Sequence, residues 1–297
     1  GNGNGNGNGN GTVVDPRAVI ASILGANASM LTKSFSMLVF YTAATSVATR
    51  MGAVHMAAHQ VCLSLFWFLT MWLDSGGVSA QLLLSQSLSQ STNANTNANT
   101  NANTNANTNA STETATVNSH RDDESSTLAR VRSLIGYMVR FALVQGLAFS
   151  ALVWATAGFL PALFTSDPTV RALTSRCLPH MVVQMTLVSV CLVLEGLSIG
   201  AQQFRFTAVG TALATVAGVA SMTTSTSTST WSMTGTTATK NTAAMLGTAT
   251  NPSVVDIWGR AVHVFFGLRL VIGILGVARV HRKLAATATA TATSATQ

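Results

Sequence analysis

Charge is what this sequence has least of. Asp, Glu, Lys and Arg make up 8% of its 297 residues, where soluble globular domains carry roughly 25%. A water-facing surface cannot be covered at that density, and the mean hydropathy of +0.39 points the same way. The expected solvent for much of the chain is lipid. Cysteine is scarce too: Cys62, Cys177 and Cys191 fall in or beside apolar runs, with no C-x-x-C pair. That excludes a zinc site or a disulfide framework and leaves small buried or lipid-facing hydrophobes. There is no Gly-rich phosphate loop, no nucleophile beside a base and no metal-ligand spacing, so nothing asks for catalysis, a metal or a cofactor.

What is there first suggests a different partner. A net charge of +7 and a pI near 10.2 would suit nucleic acid in a soluble protein. Here, however, Lys and Arg stand singly at the ends of apolar runs, without the clustered, aromatic-interleaved pattern that binds nucleic acid. The expected partner is the lipid bilayer, not nucleic acid. Four low-complexity tracts punctuate the chain: Gly/Asn over 1–11, Thr-Asn-Ala-Asn over 92–110, Ser/Thr over 223–230 within a polar stretch to about 252, and Ala/Thr over 285–297. Such tracts offer too little apolar surface to offset the entropy of ordering and are expected to be disordered. No signal or transit peptide is legible in the opening repeat.

Six apolar stretches remain, at 18–49, 54–88, 134–164, 177–200, 206–222 and 254–280. About 20 apolar residues cross a bilayer as a helix. The fifth stretch has only 17 residues, and its Gly, Ala and Thr content suits close packing against other helices. The expected fold is all-α, a polytopic bundle of six transmembrane helices over 18–284. Disordered insertions are expected at about 91–127 and 223–252, with tails over 1–17 and 285–297.

The basic residues check the count. With the chain ends and the second–third and fourth–fifth loops on one side, that side collects ten Lys and Arg, Lys33 among them. The other side collects five, and Arg269 falls inside the sixth stretch. The excess places both termini on the cytoplasmic side or its organellar equivalent.

Of nine acidic residues, only Asp74 and Glu195 lie within apolar stretches. A carboxylate in lipid costs several kcal/mol, on the order of the penalty for any buried unpaired charge, so each is expected to face the bundle interior or water. In the second stretch Gln60, Ser64, Trp67, Met71, Asp74, Val78, Gln81 and Ser85 follow one helix face. Such a face turns toward other helices or a wet cavity, and it reads equally as an interhelical hydrogen-bond stripe with no transport role. In the fourth, Gln184, Val188, Cys191 and Glu195 share a face. Glu195 reads either as a proton or sodium site or as an acid kept neutral by its surroundings. Pro179, Gly196 and Gly200 allow kinks or close helix approach. Arg269 is expected to snorkel or bond to backbone carbonyls, with a pairing to Asp74 or Glu195 as the alternative. His55, His59 and His180 read as interfacial or packed imidazoles.

Several runs then carry a family resemblance. Met51-Gly-Ala-Val-His-Met-Ala-Ala-His-Gln-Val-Cys-Leu63, preceded by Ala-Thr-Ser-Val-Ala-Thr-Arg50, resembles the junction of helices seven and eight in multidrug and toxic compound extrusion (MATE) transporters, closest to the plant plastid-type branch. Trp72-Leu-Asp-Ser-Gly-Gly-Val-Ser-Ala-Gln81 is similar to that branch's eighth helix, and Leu163-Phe-Thr-Ser-Asp-Pro168 to its loop after helix nine. Leu192-Val-Leu-Glu-Gly-Leu-Ser-Ile-Gly-Ala-Gln202 is similar to its tenth helix, with Glu195 where Asp is usual. Ile257-Trp-Gly through Leu268-Arg-Leu270 is similar to its twelfth, and Lys33 stands at a usual Arg position.

The resemblance implies the C-terminal six-helix lobe of an antiporter that exports small organic molecules in exchange for H⁺ or Na⁺. A missing N-terminal six-helix half would be its partner. An organic acid or phenolic substrate and a plastid envelope, another organelle or the plasma membrane follow from the same likeness. Asp74 and Glu195 become the cation- or proton-binding candidates, and Gln60, Gln81, Gln184 and Arg269 the cavity-lining ones. The acidic residues that other eukaryotic branches place near Val188 and in helix seven are absent, so their cation site does not transfer. A non-transporting scaffold or degenerate homologue, and an intramembrane enzyme, stand as the alternatives.

Overall fold

The computed structural model describes residues 15–105, 113–230 and 253–294, and among them every regular element is helical. The elements are α1 (Pro16–Arg50), α2 (Ala53–Asn105), α3 (Glu113–Thr156), α4 (Leu160–Phe164), α5 (Pro168–Gly200) and α6 (Phe204–Thr230). The last, α7, is continuous through Val254–Asp256, a π turn at Ile257–Ala261 and Val262–Ser294. Six of these helices are long and apolar enough to cross a membrane, as expected. The chain is an integral, multi-pass membrane protein.

The boundaries follow local chemistry. α1 starts where Asp15 accepts the Arg17 amide at 3.0 Å and Pro16 supplies the first helical φ. It hands over to α2 at Gly52, whose φ of +107° a side chain would resist. Asp167 caps α5 by accepting from the Thr169 and Val170 amides, and those two bonds hold its carboxyl below the ordinary range. Ser253 and Asp256 close a reciprocal capping box on α7.

Two expectations about bounds need correcting. The stretch at 134–164 is not one helix: α3 stops at Thr156, a turn follows, and Leu160–Phe164 forms a short separate helix with Pro161 in its first turn. Proline's missing donor and its restriction on the preceding residue break the run there. The fourth span begins at Pro168 instead of 177, so the cap and not the apolar run sets its start. Where the low-complexity tracts adjoin a span, helix continues into them, through Asn105 in α2 and from Glu113 in α3. Extending an existing helix costs far less than nucleating one. The tract positions 1–11, 106–112, 231–252 and 295–297 lie outside the described residues.

α5 is the centre of the bundle. Of its most apolar window 67% is buried, against 11% for α1. It packs on α2, α3 and α7, while α1 lies mainly along α6 and touches α2 sparingly. The contact of α5 with α2 is backbone-close because glycines meet there. A Cβ on Gly77 would stand 2.8 Å from the Leu192 carbonyl oxygen, and one on Gly196 would run into the carbonyl of Gly77. Gly196 and Gly200 form the small-xxx-small spacing that lets membrane helices approach. The buried face of α2 is therefore Ala58, Cys62, Phe66, Leu69, Leu73 and Ala80. Large side chains such as Val144, Trp154 and Val216 stay exposed on the outer surfaces of α3 and α6, as helices solvated by lipid do.

Candidate functional site

Glu195 is the residue around which the polar chemistry collects. It lies five residues before the end of α5, beside the glycine contact, and is 6% exposed. Its Oε2 accepts from Arg269 Nη2 of α7 at 2.5 Å, and its Oε1 lies 3.1 Å from Lys33 Nζ of α1. Three spans are thereby joined through one carboxylate. The two cations are not equivalent. Arg269 packs beside the rings of Phe265 and Phe266, with Cζ 5.3 and 5.2 Å from their centroids, a favourable setting for a guanidinium. Its side chain is 3% exposed, whereas that of Lys33 is 20% exposed and can move.

Against this cluster is a small cavity of about 10 Å³ bordered by Ser198, Thr207 and Thr211 together with Phe206 and Ile272, room for about one water. Between α1 and α2 is a groove of about 740 Å³, within the roughly 300–1,000 Å³ typical of ligand sites. Its walls include Met37, Tyr41, Trp67 and Asp74, and Lys33 and Arg269 lie at its floor. α1 and α2 are antiparallel, with Thr45 beside His59 and the Tyr41 ring 5.0 Å from that of Trp67. Continuing that register brings Lys33 level with Asp74. The groove exists because α1 leans on α6 and leaves α2 free above the turn.

The structure thus places the expected residues unequally. Glu195 and Arg269 are brought together, so Arg269 does not snorkel: a carboxylate within reach is a better partner than backbone carbonyls already used by their helices. Asp74 is exposed on the groove wall. The polar stripe of α2 is mostly exposed, and its Trp67, Met71 and Asp74 line the groove shared with α1. Gln60, Gln81 and Gln184 do not border it. Gln60 is exposed, Gln81 is half-buried with its carbonyl against Gly200, and Gln184 is buried in α5 without a hydrogen-bond partner among the described residues. His59 is buried against Trp258, and the ring of His180 packs on Gly259.

Lys33 is what the reading of the sequence missed. It was expected at one membrane face, yet it sits halfway along α1. Its position deep within an apolar run was the signal. Removing it from the charge count leaves nine against five. Tyr41 was missed as well, because an aromatic in an apolar span carries no mark of facing a groove. Among the described residues, no group of three His, Cys, Asp or Glu is arranged to hold a metal.

Comparison with known proteins bears on α3 to α6 most directly. The MatE family profile matches residues 127–224, a region that includes Glu195 but neither Lys33 nor Arg269. The chain is 22% identical over 179 residues to Protein DETOXIFICATION 45, chloroplastic, of Arabidopsis thaliana. That match covers 60% of this chain and 26% of the relative, so the chain corresponds to about a quarter of that protein's length. No solved structure matches. Six helices long and apolar enough to cross a membrane, a MatE profile over residues 127–224 and a chloroplastic DETOXIFICATION relative are thus what this chain shares with the MATE family.

Proposed function

We propose that this bundle is the moving lobe of a secondary antiporter that exports a small organic molecule in exchange for H⁺ or Na⁺, and that it is a carrier and not an enzyme. One observation carries the reading: a buried carboxylate, held by one fixed and one movable cation, lies beside an open groove large enough for a ligand. A coupling cation or proton arriving at Glu195 competes with Lys33, because Arg269 is locked by its rings. Release of Lys33 frees α1 from α5, which gives ion binding a way to move a helix. A differential affinity for the ion between the two arrangements is what such coupling requires. Asp74, level with Lys33, is the second carboxylate that the released lysine can meet. The N-terminal six-helix half of the family would supply the facing wall. The chloroplastic relative supports a plastid envelope as the membrane, and the branch supports an organic acid or phenolic as cargo.

A second reading has its own observation. Because Glu195 is fully paired, the cluster would also serve as a brace in a homologue that transports nothing. Export driven by a pH or Na⁺ gradient separates the two, measured with the missing half supplied. Glu195→Gln and Asp74→Asn should each reduce gradient-driven export by at least about tenfold, the loss that ~1.4 kcal/mol of coupling brings. Wild-type export with unchanged pH and Na⁺ dependence in both variants would leave the carboxylates structural.

A further inference from the structure

α1 and α6 run parallel and pack closely at mid-span. There the Thr215 hydroxyl donates to the Ser36 carbonyl at 3.0 Å, and a Cβ on Gly218 would meet the Phe40 ring. Continuing that register sets Gly25 level with Phe204, where the helices have parted and nothing lies within 4 Å of a Cβ on Gly25. A cavity of about 690 Å³ opens at that level, between the start of α1, the α5–α6 turn and the end of α7. The wall opposite α1 is fixed. The Gln203 amide donates to the Gly276 carbonyl at 3.3 Å, and the Arg279 guanidinium lies over the Phe206 ring, its Cζ 4.9 Å from the centroid. Arg205, Arg279 and Lys283 line the cavity, and no acidic residue does. These span ends belong to the face that carries the excess of Lys and Arg. Cations gathered there without a lining carboxylate favour an anion, and Arg offers phosphate oxygens a planar fork of donors. Val209, also in the lining, begins an apolar row on α6 that continues through Leu213 and Val216 at helical spacing, all of it exposed.

We propose that this cavity binds an anionic phospholipid, with the phosphodiester between Arg205 and Arg279 and an acyl chain along Val209, Leu213 and Val216. The cations call for the phosphate and the apolar row for the chain; a free phosphate uses the first and leaves the second idle. Arg279, set against Phe206, supplies a fixed fork of donors, and Lys283, one turn further along α7, adds a flexible ammonium toward the headgroup. The depth fits as well. α1 has 35 residues, a length of about 52 Å. That exceeds the roughly 30 Å hydrocarbon core, so residues 21–26 near its start fall close to headgroup level. Basic pockets between spans are where anionic headgroups are held. A lipid seated here bridges α1 to α6 and α7 across the gap they leave. The cavity shares no lining residue with the α1–α2 groove, so the assignment does not depend on the carrier reading.

The test is displacement of a phosphatidylglycerol with a fluorescent acyl chain from the purified chain in dodecyl maltoside micelles. Unlabelled phosphatidylglycerol should compete at least about tenfold better than phosphatidylcholine with the same chains, since each basic residue beside an anionic headgroup is worth about fivefold. Arg205→Gln combined with Arg279→Gln should bring phosphatidylglycerol down to the level of phosphatidylcholine. Both side chains are exposed, so the helical circular dichroism should not change. Arg171→Gln combined with Arg176→Gln removes the same charge from the opposite end of α5 and should leave the preference intact. Inorganic phosphate should not displace the probe even in large excess. Displacement by phosphate as effective as by the lipid identifies a free anion as the occupant and overturns the lipid assignment. Equal competition by the two phospholipids, or the same loss of preference in the Arg171 and Arg176 variant, overturns the site itself.

Discussion

Glu195→Gln should destabilise the bundle by about 3–5 kcal/mol, the cost of breaking a buried ion pair by removing one partner. The amide keeps the size of the side chain but leaves Arg269, 3% exposed, as an uncompensated charge beside two phenyl rings. Adding Arg269→Met to Glu195→Gln should recover much of the loss, because an apolar side chain suits the same ring environment and removes the stranded cation. Lys33→Met alone should cost far less, since the lysine is partly exposed and Glu195 keeps Arg269. Unfolding midpoints in a denaturing-detergent titration, read by circular dichroism, rank the four proteins. A double variant less stable than Glu195→Gln alone would mean that the two residues are not energetically paired.

The second large effect concerns glycine. Gly196→Ala should cost about 1–3 kcal/mol or more, as overpacking does, because the added methyl meets the Gly77 carbonyl and a backbone cannot swing aside. α2 and α5 would have to separate at the level of Glu195, so the same change should loosen the ion cluster. Gly136→Ala in α3 is the control: nothing lies within 4 Å of its Cβ position, and losing a flexible glycine from a helix should be neutral or slightly stabilising. The same unfolding titration applied to both variants checks the contrast. Equal midpoints would show that α2 and α5 are not packed backbone to backbone.

The apolar runs and the sparse charge made the spans legible, because lipid leaves few other solutions for long uncharged stretches. Helix ends were less legible, because the apolar runs and not the caps or prolines guided the bounds. Asp167-Pro168 set the start of α5, while the break after Thr156 was hidden inside a run that is apolar on both sides of it. Within the site, Glu195 and Asp74 stood out because carboxylates are rare in such surroundings. Their partners did not, since the pairing of Lys33 with Glu195 depends on how α1 and α5 come together, and no spacing within one helix encodes that. The α2 stripe shows the same limit. Its periodicity marked a distinct face, but which of its residues border a groove depends on α1 leaning toward α6.

The most direct measurement of the central claim, that a water-filled groove leads to the ion cluster, is thiol accessibility. With Cys62, Cys177 and Cys191 replaced by alanine, single cysteines at Thr42, Ser46 and Asp74 should react readily with a charged, water-soluble thiol reagent in intact membranes. Cysteines at Val144 and Val216, each 67% exposed on the outer faces of α3 and α6, should not react, because lipid covers them. Rapid labelling confined to the first three positions is the predicted result. Labelling as poor at 42, 46 and 74 as at 144 and 216 would contradict it, and would make the space between α1 and α2 a place for lipid or another helix instead of a path for ions and cargo.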